Sequence, residues 1–258
     1  MEVRAKKSLG QHFLTDKNIA LRICSSLEAP LLRDTLEIGC GMGVLTEYLL
    51  QRKDTTLYGA EIDSESIEYL NEHFPEFRER LFYTDFLKMD LRERFPDGVN
   101  IIGNFPYNIS SQIFFRILEF RNVIPLCVGM VQKEVAQRIA EPPGSRTYGI
   151  LSVLLQAWYD IEYLFTVSEG VFSPPPKVKS AVIRLRRNNR EKLECDEALF
   201  IRVVKTAFSQ RRKMIHNPLA GCFPSLKGME HPLLRRRAEE LSVDDFVALT
   251  SFVAASQK

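Results

Sequence analysis

Short apolar runs that end in turn residues recur through the first two-thirds of this chain, separated by amphipathic stretches. Residues 15–28 carry apolar side chains three and four apart, and Thr15 or Asp16 can cap the start of that helix. Residues 34–43, DTLEIGCGMG, read as a strand that runs into a glycine-rich turn, and VLTEYLLQR after it has helical spacing. TTLYGAEI and RLFYT read as two more strands, with Glu61 and Asp85 at their ends. VNIIG is a fourth, followed by NFPY at 104–107, then by a helix in ISSQIFFRILEF with Ser110 as its cap, then by the strand PLCVGMVQ. Strands and helices in alternation imply a parallel sheet covered on both faces. IEYLFTVS and KSAVIRLR are expected to form an antiparallel edge. FSPPPK between them is a rigid loop, because consecutive prolines fix φ. After about residue 188 the spacing turns helical, in ALFIRVVKTAFSQ, HPLLRRRAEELS and VDDFVALTSFVAA. The polar run RRNNREK marks the boundary, so an α/β domain over 1–187 and a smaller all-helical domain over 188–258 are expected.

Composition adds little to this picture, but charge changes it. With 258 residues, 45% hydrophobic and 26% charged, the chain reads as an ordinary soluble globular protein. No apolar run approaches 18 residues and the N-terminus has no apolar signal segment, so a cytoplasmic protein without membrane contact is expected. Five cysteines, an odd number without a CxxC pair, read as reduced thiols. The four histidines are scattered, and no metal site is expected. Residues 1–180 hold 20 Lys and Arg against 24 Asp and Glu, whereas residues 181–258 hold 15 against 9. The basic excess lies in Arg184-Arg186-Arg187-Arg190, Arg211-Arg212-Lys213 and Arg235-Arg236-Arg237. One such cluster is as readily a solvated helix face, but three in a small domain favour binding to RNA phosphates.

The candidate chemistry sits at the strand ends. Gly39, Gly41 and Gly43 permit a tight turn and close backbone approach to a ligand. Glu61, twenty residues after Gly41, is placed to accept both hydroxyls of a ribose, and Asp85 to accept from an adenine amino group. The spacing is G-x-G-x-G and not the G-x-G-x-x-G of dinucleotide dehydrogenases, which favours S-adenosylmethionine over NAD. NFPY alone has a plainer reading as a strand end with a proline turn and an Asn cap, the weaker of the two. Beside a nucleoside pocket it reads as chemistry. Acceptors at Asn104 Oδ1 and the Pro106 carbonyl can bind the two hydrogens of an exocyclic amine and favour a pyramidal, nucleophilic nitrogen. The ring of Tyr107 can stack on the base, a contact worth roughly 1–3 kcal/mol.

Seven segments in order, KKSLGQHFL, EIGCGMGVLT, AEID, NFPYNIS, VQKEVAQRI, VFSPPPKVKSAVIRL and FSQRRKMIHNPL, span nearly the whole chain. On these the sequence resembles the small-subunit ribosomal RNA adenine N6,N6-dimethyltransferases of the bacterial KsgA type. Large-subunit rRNA methyltransferases that confer antibiotic resistance share the first four segments but differ from FSQRRK. The family usually has Asn at the position of His12 and Leu at that of Phe105. The resemblance implies a Rossmann-like class I S-adenosylmethionine-dependent methyltransferase sheet with a smaller helical domain. It implies dimethylation of two adjacent adenosines in a hairpin loop near the 3′ end of 16S rRNA, within the immature small ribosomal subunit, by a monomer. A role in subunit biogenesis accompanies it, alone or beside catalysis. It places His12, Leu14, Gly39, Gly41, Glu61, Asp85 and Asn104 at the cofactor, with Gln11 nearby, and Phe172 near the catalytic pocket, where its ring can either stack on the face of the target adenine opposite Tyr107 or plug the core beneath the proline loop. Lys177, Lys179, Arg211, Arg212 and Lys213 are candidates for RNA phosphates, and the basic residues Arg4, Lys6 and Lys7 for a tail that orders on RNA. The attack is an in-line displacement that positioning and electrostatics carry, with no strong general base.

Overall fold

The computed structural model describes residues 3–28 and 31–257. Among them, one mixed sheet contains β2 (Asp34–Ile38), β3 (Thr56–Glu61), β4 (Leu81–Tyr83), β5 (Asn100–Asn104), β6 (Leu126–Gln132), β7 (Tyr159–Val167) and β9 (Ser180–Arg187). The two-residue strands β1 (Phe13–Leu14) and β8 (Phe172–Ser173) pair apart from it, antiparallel, with Leu14 opposite Phe172. The order across the large sheet is β4-β3-β2-β5-β6-β9-β7. β4, β3, β2, β5 and β6 run parallel, and β9 returns antiparallel against β6. This is the expected α/β sheet. β5 and β6 are buried along all but their last residues, as fits continuous apolar runs in central parallel strands. From β2 the chain builds outward through β3 and β4 on one side, and later through β5 and β6 on the other. The switch point lies between β2 and β5, and open sheets of this kind bind ligands outside the carboxyl ends of such strands.

The chain forms two compact units. The first runs to Ala136 and resumes over Ile161–Arg187, and the second takes Gln137–Asp160 with the chain from Asn188 onward. The break after Arg187 falls in the polar run, but residues 137–160 lie in the second unit although the pattern put them with the sheet. The helix Ile150–Gln156 explains this. Leu151, Val153, Leu154 and Leu155 are all buried, so it needs cover on every side, and in the second unit Trp158 meets the Phe200 ring edge-on at 6.1 Å.

The local elements follow the pattern only in part. Asp16 caps the helix Lys17–Ser25, accepting from Asn18 and Ile19 N–H at 2.8 and 3.0 Å. Ser110 is the first residue of the helix Ser110–Glu119 and not its cap; its hydroxyl donates to the Tyr107 carbonyl. Only Thr46–Leu49 of VLTEYLLQR is α-helical. HPLLRRRAEELS is not one helix. Pro232–Arg235 and Ala238–Glu240 are separate 3-10 turns, and Arg236 and Arg237 between them are extended. Pro232 and the capping His231 favour starting a turn there, and Arg236 is held outward by ion pairs to Glu240 and Asp245.

Candidate active site and cofactor pocket

The carboxyl ends of β2, β3, β4 and β5 open onto a cavity of about 290 Å³, closed on one side by the N-terminal segment 8–14. Ligand pockets are commonly of roughly this size. The turn after β2 holds Gly39, Gly41 and Gly43 at φ of 71°, 53° and 77°, the left-handed region where other residues are strained. A Cβ at Gly41 would come within 3.1 Å of the Phe13 ring. Phe105 anchors the NFPY loop below the cavity. Its ring is buried over Gly103 and Gly129, where an added Cβ would come within 3.0 and 2.5 Å of it. Leu14 belongs both to the cavity wall and to the core cluster with Ile102, Met130 and Val182.

Three carboxyl groups line the cavity, each handled differently. Glu61 is buried and accepts three backbone N–H groups, from Gly41 at 2.9 Å, Ile62 at 2.8 Å and Asp63 at 2.9 Å. Burial raises its pKa, and the three donors oppose that rise. Glu37 is buried with a single donor, the Thr46 hydroxyl at 2.7 Å. Its burial pushes the carboxyl up to about 8. Asp85 is half-buried and caps the turn Phe86–Lys88, with Oδ1 accepting from Leu87 N–H at 2.9 Å. Behind Glu61 lies Asp63, which ties the N-terminal segment to the site. Gln11 Nε2 donates to it at 3.1 Å and Lys6 pairs with both Asp63 and Glu65. Burial alone would raise the Asp63 carboxyl, but the bonds from Lys6 and Gln11 outweigh that and hold it below its usual range. Lys6 is therefore held by two acids and is not part of a free basic tail.

At the end of β5 the amide of Asn104 is oriented. Nδ2 donates to the His12 carbonyl at 3.0 Å, and a carbonyl can only accept, so Oδ1 remains as an acceptor at the cavity wall. The Pro106 carbonyl accepts from Ile109 N–H at 3.2 Å, which leaves one of its two lone pairs. Tyr107 is half-buried, with its hydroxyl bonded to Ser180 Oγ and its ring 5.2 Å from that of His12, tilted by 33°. His12 Nδ1 in turn meets the Pro174 carbonyl at 2.8 Å. Phe172 does not join Tyr107 at the cavity wall. The β1–β8 pairing turns its ring into the core cluster beside Leu14 and Val182, where it is 4% exposed.

The basic candidates divide in the same way. Lys177, Lys179, Arg212 and Lys213 are exposed. Arg211 is a structural anchor. It donates to the carbonyls of Arg146 and Tyr148 and pairs with Glu239, all inside the second unit. The Arg184 cluster is equally committed, with Arg184 only 8% exposed and paired to Glu162 and Glu28, Arg186 paired to Glu28, and Arg190 to Asp244. Sequence reasoning missed Glu37, Asp63 and Ser180. The first two sit in motifs whose neighbouring residues carry the stronger signal, and a buried serine carries no signal of its own. Among the described residues no helix is long and apolar enough to cross a membrane, and no group of three His, Cys, Asp or Glu could hold a metal ion.

The family model described as ribosomal RNA adenine dimethylase matches residues 2–254. A ribosomal RNA small subunit methyltransferase A of Parabacteroides distasonis is 56% identical over 252 residues, 96% of this chain and 93% of that protein. Its counterpart in Porphyromonas gingivalis is 56% identical over 253 residues, covering 97% and 98%. The crystal structure of a dimethyladenosine transferase from Plasmodium falciparum shares the fold, with a TM-score of 0.77, 22% identity and coverage of 95% and 98%. With the family model spanning nearly its whole length, the chain belongs to the ribosomal RNA adenine dimethylase family.

Proposed function

We propose that this protein transfers methyl groups to N6 of two adjacent adenosines in a hairpin loop near the 3′ end of small-subunit rRNA, presented within the immature small ribosomal subunit. The observation that carries the reading is the Asn104 amide, whose donor is taken by His12 and whose acceptor borders the cavity. The cavity fits a nucleoside methyl donor on its own chemistry. Glu61 presents a buried carboxylate for ribose hydroxyls, Asp85 a half-buried one for an adenine amine, and Leu14 an apolar wall. S-adenosylmethionine, when bound there, supplies a methyl group already activated by positive sulfur.

The chain's own residues have three tasks. Tyr107 offers its ring to an adenine that has left its stack, at a cost of a few kcal/mol for the unstacking. Asn104 Oδ1 and the free lone pair of the Pro106 carbonyl accept the two N6 hydrogens. That draws the nitrogen lone pair out of conjugation along the line of attack. The N6 proton becomes acidic once the methyl is on, so it passes to water without a dedicated base. Lys177, Lys179, Arg212 and Lys213 hold phosphates. The names of the relatives support the small subunit over the large one.

Asn104→Ala tests the reading. Single-turnover transfer of labelled methyl to immature small subunits should slow by about two to three orders of magnitude, a typical cost for one lost polar stabiliser. Filter binding of the same subunits should change far less, since phosphate contacts dominate affinity. Transfer at the wild-type rate would reduce NFPY to a turn. A variant that binds but does not methylate also isolates any contribution to subunit assembly.

A further inference from the structure

We propose that Ser180 is a positioning residue for this reaction: it sets the plane of the Tyr107 ring before a base arrives. The inference rests on the reading that Tyr107 stacks on the target adenine. Ser180 opens β9, is fully buried, and lies in register opposite Gln132 of β6. Its hydroxyl is thus carried by the central sheet and not by a loop. Tyr107, by contrast, sits on the loop after β5, half-buried at the cavity wall, and its hydroxyl bonds to Ser180 Oγ across 73 residues of sequence. One tie fixes the distal end of the ring. A second contact, the His12 ring 5.2 Å away, limits its rotation, and His12 is itself held through Nδ1 by the Pro174 carbonyl. Burial raises the Tyr107 phenol pKa, so the phenol stays neutral and able to donate or accept at working pH.

A stacking platform that is already in place spares the incoming base the ordering cost of a mobile ring. A serine that merely filled the core would matter for stability alone. One hydroxyl pair shared by two residues makes a different demand: removing either partner has the same effect, and removing both adds nothing. The Tyr107 side of the pair is at the rim of the cavity, where losing one oxygen leaves the ring and the fold in place.

The test is single-turnover methyl transfer to immature small subunits by Ser180→Ala, Tyr107→Phe and the double variant, with Tyr107→Ala as the reference for stacking. Each single variant should transfer about three- to tenfold more slowly, the worth of one net hydrogen bond. The double variant should be no slower than either one, and subunit binding by filter assay should be unchanged in all three. Multiplying losses, or a wild-type rate in Ser180→Ala, overturn the proposal. If Ser180→Ala fails to fold, Tyr107→Phe decides alone: a three- to tenfold slower rate supports the tie and a wild-type rate overturns it. A wild-type rate in Tyr107→Ala would instead sink the stacking reading beneath it.

Discussion

Glu37 offers a quantity that the fold fixes and pH can read. Its carboxyl is buried beneath the glycine turn with one hydroxyl donor, and its pKa stands at about 8 against an ordinary 4.5. Folded protein therefore keeps a proton on Glu37 over a range in which the unfolded chain has lost it. A raised acid stabilises the fold below its ordinary pKa, and that contribution is lost as pH rises towards the folded value. Each pKa unit corresponds to about 1.36 kcal/mol, so wild-type protein should lose about 2–4 kcal/mol between pH 5 and pH 8 relative to Glu37→Gln. Glutamine is the right comparison because it mimics the protonated acid and can still accept from Thr46. Other titrating groups, including Asp63 with its opposite shift, are common to both proteins and cancel in the difference. The single tryptophan, Trp158, lies in the second unit, so its fluorescence reports on the wrong region. Native-state hydrogen exchange at β2 and β3 amides, corrected for intrinsic rates, measures the free energy where it changes. Parallel stability curves for the two proteins across pH 5–8 would refute the argument.

Two further outcomes follow from the site. Glu61→Ala should weaken S-adenosylmethionine binding by more than tenfold in calorimetry, and it should also lower stability by about 1–3 kcal/mol, because three backbone N–H groups lose their acceptor; unchanged affinity would remove Glu61 from the pocket chemistry. Arg212→Ala and Lys213→Ala should each reduce the log–log salt slope of RNA binding by roughly one, whereas Arg211→Ala should leave that slope alone and destabilise the second unit; the reverse pattern in salt titrations and melting curves would exchange their roles.

The parts of this protein that were legible in sequence are those set by local chemistry. A glycine turn, an acid at a strand end and a proline after an asparagine each declare themselves within a few residues, and β2, β3, β4 and β5 deliver them to one cavity. What was hidden depends on partners far along the chain. Arg211 looks like its neighbours Arg212 and Lys213 until the carbonyls of Arg146 and Tyr148, more than sixty residues away, take its guanidinium. Arg184 reads as one of four surface cations, yet Glu28 and Glu162 close around it. Phe172 follows a pattern of exposure or burial that only the two-residue pairing with β1 decides. Residues 137–160 follow a strand, and their apolar helix gives no local sign of which core it joins.

The three acids of the cavity also bear on which donor it holds. Three bare carboxylates in one partly buried space would repel each other, and the fold answers each case separately. Glu37 keeps its proton, so it adds no charge at neutral pH. Burial raises the Glu61 carboxyl, and the three backbone N–H groups it accepts oppose that rise. Asp85 is half-buried and accepts from Leu87 N–H in its own turn. Glu61 and Asp85 line the cavity as acceptors that suit the hydroxyls and the amine of a nucleoside. The acceptors that line the cavity and the spacing of its glycines thus fit the same class of donor.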